Sequence, residues 1–197
     1  FVDPLDGTTC FTHGHPFHCV SIGLVVAGRP VLGVVHAPMM GVVWSGGPTL
    51  GVHRRDLHRN VVRPLQVSPI TTLRRALVAT GFPSDRRQTG DDNLAAHKAV
   101  LMESQGVMRC GSAALDLALV ADGTYEGYWE RKIKPWDVAA GSALVVAAGG
   151  MVTDPWGQEF SVGGGAIAAT NGLVHQALLD ALRPHLPDST QKVASSS

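Results

Sequence analysis

The sequence has little cysteine, and this excludes a disulfide-stabilised fold and one kind of zinc site. It contains only Cys10, Cys19 and Cys110, which are too few and too scattered for a disulfide framework or a CxxC zinc site. We therefore expect a reducing compartment. The sequence also lacks an apolar run of the roughly 18 residues that a membrane-spanning helix needs. We predict no membrane partner.

The sequence has no excess charge of either sign. Its 16 lysines and arginines balance 16 aspartates and glutamates among 197 residues, so no overall field attracts nucleic acid or a membrane surface. Basic residues are concentrated only at 53–63, HRRDLHRNVVR. This stretch lies in a Gly-, Pro- and Arg-rich segment, 46–63. We interpret the segment as an irregular, solvated loop and predict no nucleic-acid partner.

The chain begins on a motif, without an initiator methionine and with no visible targeting peptide. A motif with no residues before it has no scaffold on that side, so we expect a fragment of a longer protein. Hydrophobic residues make up 45% of the chain, enough for a core. We predict one domain over 1–186 and a disordered tail over 187–197, which ends in TQKVASSS.

Apolar, β-branched runs alternate with helical patterns along the chain. This alternation predicts the α/β class, or α+β, with layered sheets and helices. The predicted strands cover 17–28, 31–38, 41–47, 76–82, 124–130, 151–154 and 165–170, and the predicted helices cover 89–104, 112–123, 136–150 and 172–186.

Two acids lie three positions apart in DPLDGTT, residues 3–9. Mg²⁺ prefers oxygen ligands in octahedral geometry. Asp3 and Asp6 offer carboxylates, and the Leu5 carbonyl between them is a candidate third ligand. Pro4 restricts its own backbone and that of the preceding residue, which stiffens the pair.

The second half of the same motif suits a phosphate. Gly7 permits a tight turn, after which the amides of Gly7 and Thr8 could face an anion, and a helix starting here would add to that attraction. Thr8 or Thr9 could orient a water for in-line attack. The alternative is a capping turn, in which Asp and Thr side chains satisfy loop amides. For the whole motif we favour the metal and phosphate interpretation.

A third acid and a glycine turn come from far along the chain. Asp137 starts a helix, where it could cap the helix or bind a second cation. Glu130 ends a strand, where it could pair with Arg131 or Lys132 or accept hydrogen bonds from substrate hydroxyls. The turn in CGSAALD, residues 110–116, could cap a helix or let a ligand approach the backbone.

These motifs together resemble the inositol monophosphatase family. DPLDGTTCFTHGHP (3–16), with the strand after it, resembles the first family signature, and KPWDVAAGSALVVAAGG (134–150) resembles the second. The match extends through LVATGFP, GSAALDLALVADGTYEGYWE, VTDPWGQEF and AIAATNGLVHQALL, and covers roughly residues 1 to 182. The tract 111–141 is particularly similar to the plant and cyanobacterial branch, including its chloroplast members.

The resemblance implies an αβαβα sandwich, here lacking its N-terminal helical part, and a lithium-sensitive, Mg²⁺-dependent hydrolase of inositol monophosphate. It makes Asp3, Asp6 and Asp137 metal ligands together with the Leu5 carbonyl. The implied reaction is in-line attack of a metal-activated water on phosphorus, with a second metal stabilising the leaving oxygen.

The resemblance also implies roles in substrate binding and catalysis. Thr8 and Asp6 would be catalytic, and Gly7 and Thr8 would hold phosphate and position the water. Glu130 would contact inositol hydroxyls. The full implied substrate-binding set is Leu5, Asp6, Gly7, Thr8, Gly111, Ser112, Ala113, Glu130 and Asp137.

The sequence departs from the family pattern at several places. Family members carry a further metal-binding Glu, and an acid that partners the threonine, upstream of DPLDGTT. We therefore expect these 197 residues alone to be inactive or nearly so. Cys10 replaces the usual Asn, and His13, His15 and His18 crowd the next turn. A zinc site there is a weaker alternative, since HxHxxH lacks the usual spacing.

Other functions stay open at this point. One is a related phosphatase acting on histidinol phosphate, galactose 1-phosphate, fructose bisphosphate or an adenosine bisphosphate. Another is a non-catalytic remnant that acts as an interaction module. The resemblance implies a homodimer. It also implies a chloroplast location if the plant-branch similarity holds, and a cytoplasmic one otherwise.

Overall fold

The computed structural model describes residues 1–187. The tail predicted at 187–197 therefore lies outside the described residues, except for Pro187. The described chain forms four layers, in the order sheet, helices, sheet, helices. Among residues 1–187, no helix combines the length and hydrophobicity that crossing a membrane requires.

The first sheet is an antiparallel meander in chain order. After the second strand, each strand follows its neighbour through a short connection, as at Ala27 and Gly28, which both have positive φ. Its strands are β1 Val2–Asp6, β2 Cys19–Val26, β3 Arg29–Ala37, β4 Val42–Gly47, β5 Gly51–Asp56 and β6 Val61–Pro64.

The prediction of an irregular loop at 46–63 is wrong, because β5 and β6 extend the sheet there. Val52 alone on β5 is buried, and Arg54 lies over the Trp44 ring at 5.9 Å. The Arg54 Nε atom is 3.8 Å from Oδ2 of Asp122. Strands at or next to a sheet edge that bury few side chains carry charged residues on their open faces, so their sequence pattern resembles that of a loop.

The second sheet is mixed, in the order β10-β11-β9-β7-β8. The central β7 runs parallel to β8 and β9, while β11 pairs antiparallel with β9 and β10. The sequence patterns did not predict the short edge strand β8. The strands are β7 Leu77–Thr80, β8 Gly106–Met108, β9 Gly127–Arg131, β10 Met151–Thr153 and β11 Ala166–Thr170.

Two helices, α4 Ala113–Ala121 and α5 Pro135–Ala147, fill the space between the sheets. α5 is rich in alanine, so the first sheet approaches its backbone closely. A Cβ atom at Gly23 would lie 2.6 Å from the Cβ of Ala139. Fully buried side chains such as Leu115 and Leu144 complete this core. Each contributes roughly 1.5–3 kcal/mol to the free energy of unfolding.

The remaining helices are α1 Thr8–Thr12, α2 Arg86–Thr89, α3 Leu94–Glu103 and α6 His175–Leu182. α3 and α6 cover the far face of the second sheet, where Val100, Trp129 and Leu178 are buried together. The first sheet's face opposite α5 exposes apolar side chains, including Ile22 and Leu24. The layered α/β prediction is confirmed, and the sandwich has no helical layer before the first sheet within residues 1–187.

Candidate metal and phosphate site

The first two acids of the site lie where the pairing of β1 is irregular. Asp3 pairs opposite Ser21 and Asp6 opposite Cys19, and the register shifts between these pairs. In a regular strand, residues three apart point to opposite faces of the sheet. The irregularity turns both carboxylates to one side. The Leu5 amide donates a 3.0 Å hydrogen bond to Oδ1 of Asp3.

Asp137 joins this pair from the first turn of α5. Its Oδ2 accepts a 3.0 Å hydrogen bond from the Lys134 amide, so it does cap the helix. Carboxylate oxygens of Asp3, Asp6 and Asp137 nevertheless lie within 4.8 Å of one another. Capping and clustering are therefore compatible, because a carboxylate has a second oxygen to offer.

The cluster is electrostatically unbalanced without a cation. Burial raises the pKa of Asp6, although hydrogen bonds to the carboxylate oppose this. Burial also raises the pKa of Asp137 to about 7, and the charges of Asp6 and Asp3 add to the shift. Three carboxylates at this spacing are the donors that a hard divalent cation prefers. The donor set therefore fits Mg²⁺.

Two groups at the start of α4 orient Asp6. The Ser112 hydroxyl donates to Oδ2 of Asp6 over 2.7 Å, and the Ala114 amide donates to the same oxygen over 2.8 Å. Ser112 is also the N-cap of α4, as the sequence predicts, and accepts a 3.3 Å hydrogen bond from the Leu115 amide. Both contacts fall on Oδ2, so Oδ1 of Asp6 stays available to a cation.

Gly7 allows the chain to turn from β1 into α1. Its φ is +85°, and a Cβ atom there would lie 2.7 Å from the Phe17 carbonyl oxygen. Only glycine suits both constraints. Thr8 starts α1 and is exposed beside the acids, as is Thr9. The DPLDGTT motif thus combines an irregular strand end, a left-handed glycine and a short helix.

A cavity of about 240 Å³ opens beside the cluster. Asp6 and Asp137 line it, and so does the turn of Gly111, Ser112 and Ala113. Three cationic residues also line the cavity: Arg109, Lys132 and Lys134. The cavity therefore has an acidic part at the cluster and basic groups around it, a combination suited to a cation that is bound together with an anionic ligand.

Glu130 lines this cavity at the end of β9. It accepts a short hydrogen bond from the Tyr128 hydroxyl. Burial raises the pKa of Glu130 to about 7, against the effect of that hydrogen bond. Pairing with Arg131 or Lys132 does not occur, because Arg131 pairs with Asp91 and Lys132 with Asp85 and Asp91.

The histidines after the motif do not form a zinc site. His18 contacts the His15 carbonyl through Nδ1 at 3.1 Å, and His15 Nδ1 accepts a hydrogen bond from the Phe17 amide. In the part of the chain that the structure describes, Asp3, Asp6 and Asp137 form the one group of three or more His, Cys, Asp or Glu residues close enough to hold a metal.

Comparison with known proteins identifies the family. The sequence profile described as "Inositol monophosphatase family" matches residues 1–190. The chain belongs to the inositol monophosphatase family. It is 45% identical over 181 residues to "Inositol-1-monophosphatase" of Synechocystis sp., covering 92% of this chain and 61% of the relative. It is 37% identical over 191 residues to "Phosphatase IMPL1, chloroplastic" of Arabidopsis thaliana, covering 93% and 49%.

A solved structure of the family agrees with the fold. The inositol monophosphatase from Anabaena (Nostoc) sp. is 46% identical and superposes with a TM-score of 0.88 over 96% of this chain and 73% of that chain. The predicted similarity to cyanobacterial and plant members is confirmed. The chain spans about half to two thirds of the length of these two curated family members.

Two residues of this family member's cavity were missed from the sequence. Asp116 on α4 and Arg109 before it both line the cavity. Burial raises the pKa of Asp116 well above its usual range, and the charges of Glu130 and Asp6 add to this. The signal for Asp116 is its place in the motif 110–116, where one acid stands among apolar helix residues. Arg109 offers no comparable signal.

Proposed function

We propose that the protein is a Mg²⁺-dependent phosphatase that hydrolyses inositol monophosphate to inositol and phosphate. The observation that carries this proposal is the convergence of carboxylate oxygens of Asp3, Asp6 and Asp137 within 4.8 Å, next to a cavity that cationic as well as acidic residues line. Family membership supports it, because the Synechocystis relative is named an inositol-1-monophosphatase.

The three carboxylates and the Leu5 carbonyl would hold the metal. When bound, Mg²⁺ supplies positive charge to the phosphoryl oxygens and lowers the pKa of a coordinated water. The protein's own contribution is to fix the ligand geometry, and the Ser112 and Ala114 hydrogen bonds to Asp6 do this.

Residues at the turn into α1 would hold the phosphoryl group and the attacking water. The amides of Gly7 and Thr8 begin this helix, and Thr8 is exposed two positions after Asp6. A water oriented by Thr8 and Asp6 would attack phosphorus in line with the leaving oxygen. Positioning and charge stabilisation account for most catalysis in such reactions.

The polyol part of the substrate would occupy the cavity. Glu130 offers a hydrogen-bond acceptor there, and Gly111, Ser112 and Ala113 bring backbone close to the ligand. A Cβ atom at Gly81 would clash with the Glu130 carboxyl group, so this carboxyl group is packed against bare backbone. Such packing would fix the acceptor for a substrate hydroxyl.

The decisive measurement is Mg²⁺-dependent phosphate release from inositol 1-phosphate by these 197 residues extended upstream, with lithium as inhibitor control. Asp137→Asn removes a proposed ligand, and Asp180→Asn is a matched control on the exposed face of α6. We expect lithium-sensitive release that Asp137→Asn abolishes and Asp180→Asn retains. Release that persists in Asp137→Asn would contradict the assignment of the site. Galactose 1-phosphate and histidinol phosphate serve as competing substrates.

Three sequence-based predictions accompany this function. One is low activity of the 197 residues alone, to be compared with the same chain extended upstream. Another is a homodimer, to be checked by sedimentation. The last is the compartment, chloroplast or cytoplasm, to be checked by fractionation; the Arabidopsis relative is named chloroplastic.

A further inference from the structure

One carboxyl oxygen in the cavity wall has no hydrogen-bond partner among residues 1–187. Asp116 is only 2% exposed, and its Oδ1 atom makes no hydrogen bond within residues 1–187. A buried polar group without a partner lowers the stability of the folded chain. Such a group calls for an explanation beyond packing.

The neighbours of Asp116 along α4 are apolar. It lies in the first turns of α4, where Ala114, Leu115 and Leu117 are fully buried. An apolar side chain of similar size would suit this helix face better, because it would leave no oxygen unsatisfied. The helix therefore does not need a carboxyl group at position 116.

The carboxyl group is, however, a part of the cavity wall. Asp116 lines the cavity together with Glu130 and Asp6. Glu130 already has the Tyr128 hydroxyl as a donor, and Asp6 has Ser112 and Ala114. Of these three acids, Asp116 alone meets the cavity without a hydrogen-bond donor from the described chain.

We propose that Asp116 is a specificity-determining residue, whose carboxyl group exchanges a hydrogen bond with a hydroxyl of the polyol monophosphate bound in this cavity. This inference rests on the proposed function. Protonated or not, a carboxyl group offers an oxygen acceptor to a hydroxyl. The terminal torsion of Asp is soft, so either oxygen can turn toward the cavity.

The pairing with Glu130 defines the kind of substrate. Two carboxyl groups that line one cavity, from β9 and from α4, can contact hydroxyls on different carbons of one ligand. A polyol with several hydroxyls can contact both carboxyl groups. Glycerol 2-phosphate is smaller, so we do not expect it to contact both. Sites built to bind a hydroxyl discriminate strongly against analogues that lack it.

The test is equilibrium binding in the presence of Mg²⁺, measured by titration calorimetry on the purified chain. The ligands are inositol 1-phosphate, its mono-deoxy derivatives, glycerol 2-phosphate and inorganic phosphate. If the protein hydrolyses an ester during the titration, KM is measured for that ester in place of the dissociation constant.

Three variants change the carboxyl group. Asp116→Leu removes it, and Asp116→Ala is used if the leucine variant does not fold. Asp116→Asn keeps an oxygen acceptor. Glu126→Gln is the matched control, a buried acid that does not line the cavity.

We expect one deoxy derivative to bind the unmodified chain about tenfold more weakly than inositol 1-phosphate, because the Asp116 carboxyl group is then left without its hydrogen-bond partner. Asp116→Leu should bind inositol 1-phosphate and this deoxy derivative equally, and its affinity for inorganic phosphate should be unchanged. Asp116→Asn and Glu126→Gln should still bind inositol 1-phosphate more tightly than the deoxy derivative.

The proposal would be overturned if Asp116→Leu still distinguished the two ligands, or if its affinity fell equally for all ligands. These two outcomes leave the proposed function standing. Failure to bind or hydrolyse any of the esters, both by the unmodified chain and by the same chain extended upstream, overturns the proposed function and the role of Asp116 with it.

Discussion

The hydroxyl of Ser112 donates a hydrogen bond to Oδ2 of Asp6 over 2.7 Å, across 106 positions of the chain. The same hydroxyl accepts from the Leu115 amide and caps α4. One side chain thus couples the start of a core helix to the orientation of a proposed metal ligand. This coupling makes a change at Ser112 measurable in two independent ways.

Ser112→Ala should weaken both stability and metal binding. Loss of an N-cap lowers the free energy of unfolding by about 1–2 kcal/mol. Loss of a partner that orients a ligand lowers metal affinity by about 10- to 100-fold. Urea unfolding and Mg²⁺ calorimetry measure the two effects. Ser142→Ala removes another buried serine hydroxyl, bonded to the Ala139 carbonyl, and should leave Mg²⁺ affinity unchanged. An unchanged affinity in Ser112→Ala would argue against the ligand role of Asp6.

Gly81→Ala should weaken the binding of inositol 1-phosphate and spare the binding of Mg²⁺. A Cβ atom there would clash with the Glu130 carboxyl group, which must then move. We expect a loss of about tenfold in affinity for the ester. Gly163→Ala is the control, because its Cβ would meet nothing within 4 Å. Equal affinity in the two variants would show that the position of Glu130 does not matter.

Mg²⁺ should stabilise the chain more at high pH than at low pH. Metal binding needs deprotonated carboxylates, and the pKa of Asp137 is raised to about 7 in the metal-free site. We expect a larger rise in Tm on adding Mg²⁺ at about pH 8 than at about pH 5. Asp137→Asn should reduce this difference, and Asp180→Asn should retain it. A Tm shift independent of pH would contradict the carboxylate site.

Glu130→Gln should stabilise the metal-free chain at alkaline pH. The pKa of Glu130 is raised from 4.5 to about 7 in the folded chain, so the folded state holds its proton more tightly than the unfolded state. Stability is therefore lost as pH rises from 4.5 to about 7. Glutamine has no proton to lose. The Tm of Glu130→Gln should therefore exceed that of the unmodified chain above this pH window, and the difference should shrink below the window. Calorimetric scans across pH measure this difference. A constant advantage would mean that Glu130 does not titrate as proposed.

Much of the fold could be predicted from local pattern. The strands at β2, β3 and β4 and the helices α4 and α5 have apolar runs that span each element. The patterns did not predict strands that are short or that bury few side chains. β5 buries only Val52, and β8 is three residues long. Local periodicity cannot reveal strands that depend on a neighbour's hydrogen bonds.

The sequence by itself determined the acids of DPLDGTT, the glycine turn after them, the helix that carries Asp137 near its start and the family to which the chain belongs. Tertiary structure alone decided that Asp3 and Asp6 face one side, because a register shift interrupts β1. It also decided that Asp116 meets the cavity without a donor. Both features depend on contacts between segments far apart in the chain. The spacing of hydrophobic residues within one segment cannot predict such contacts.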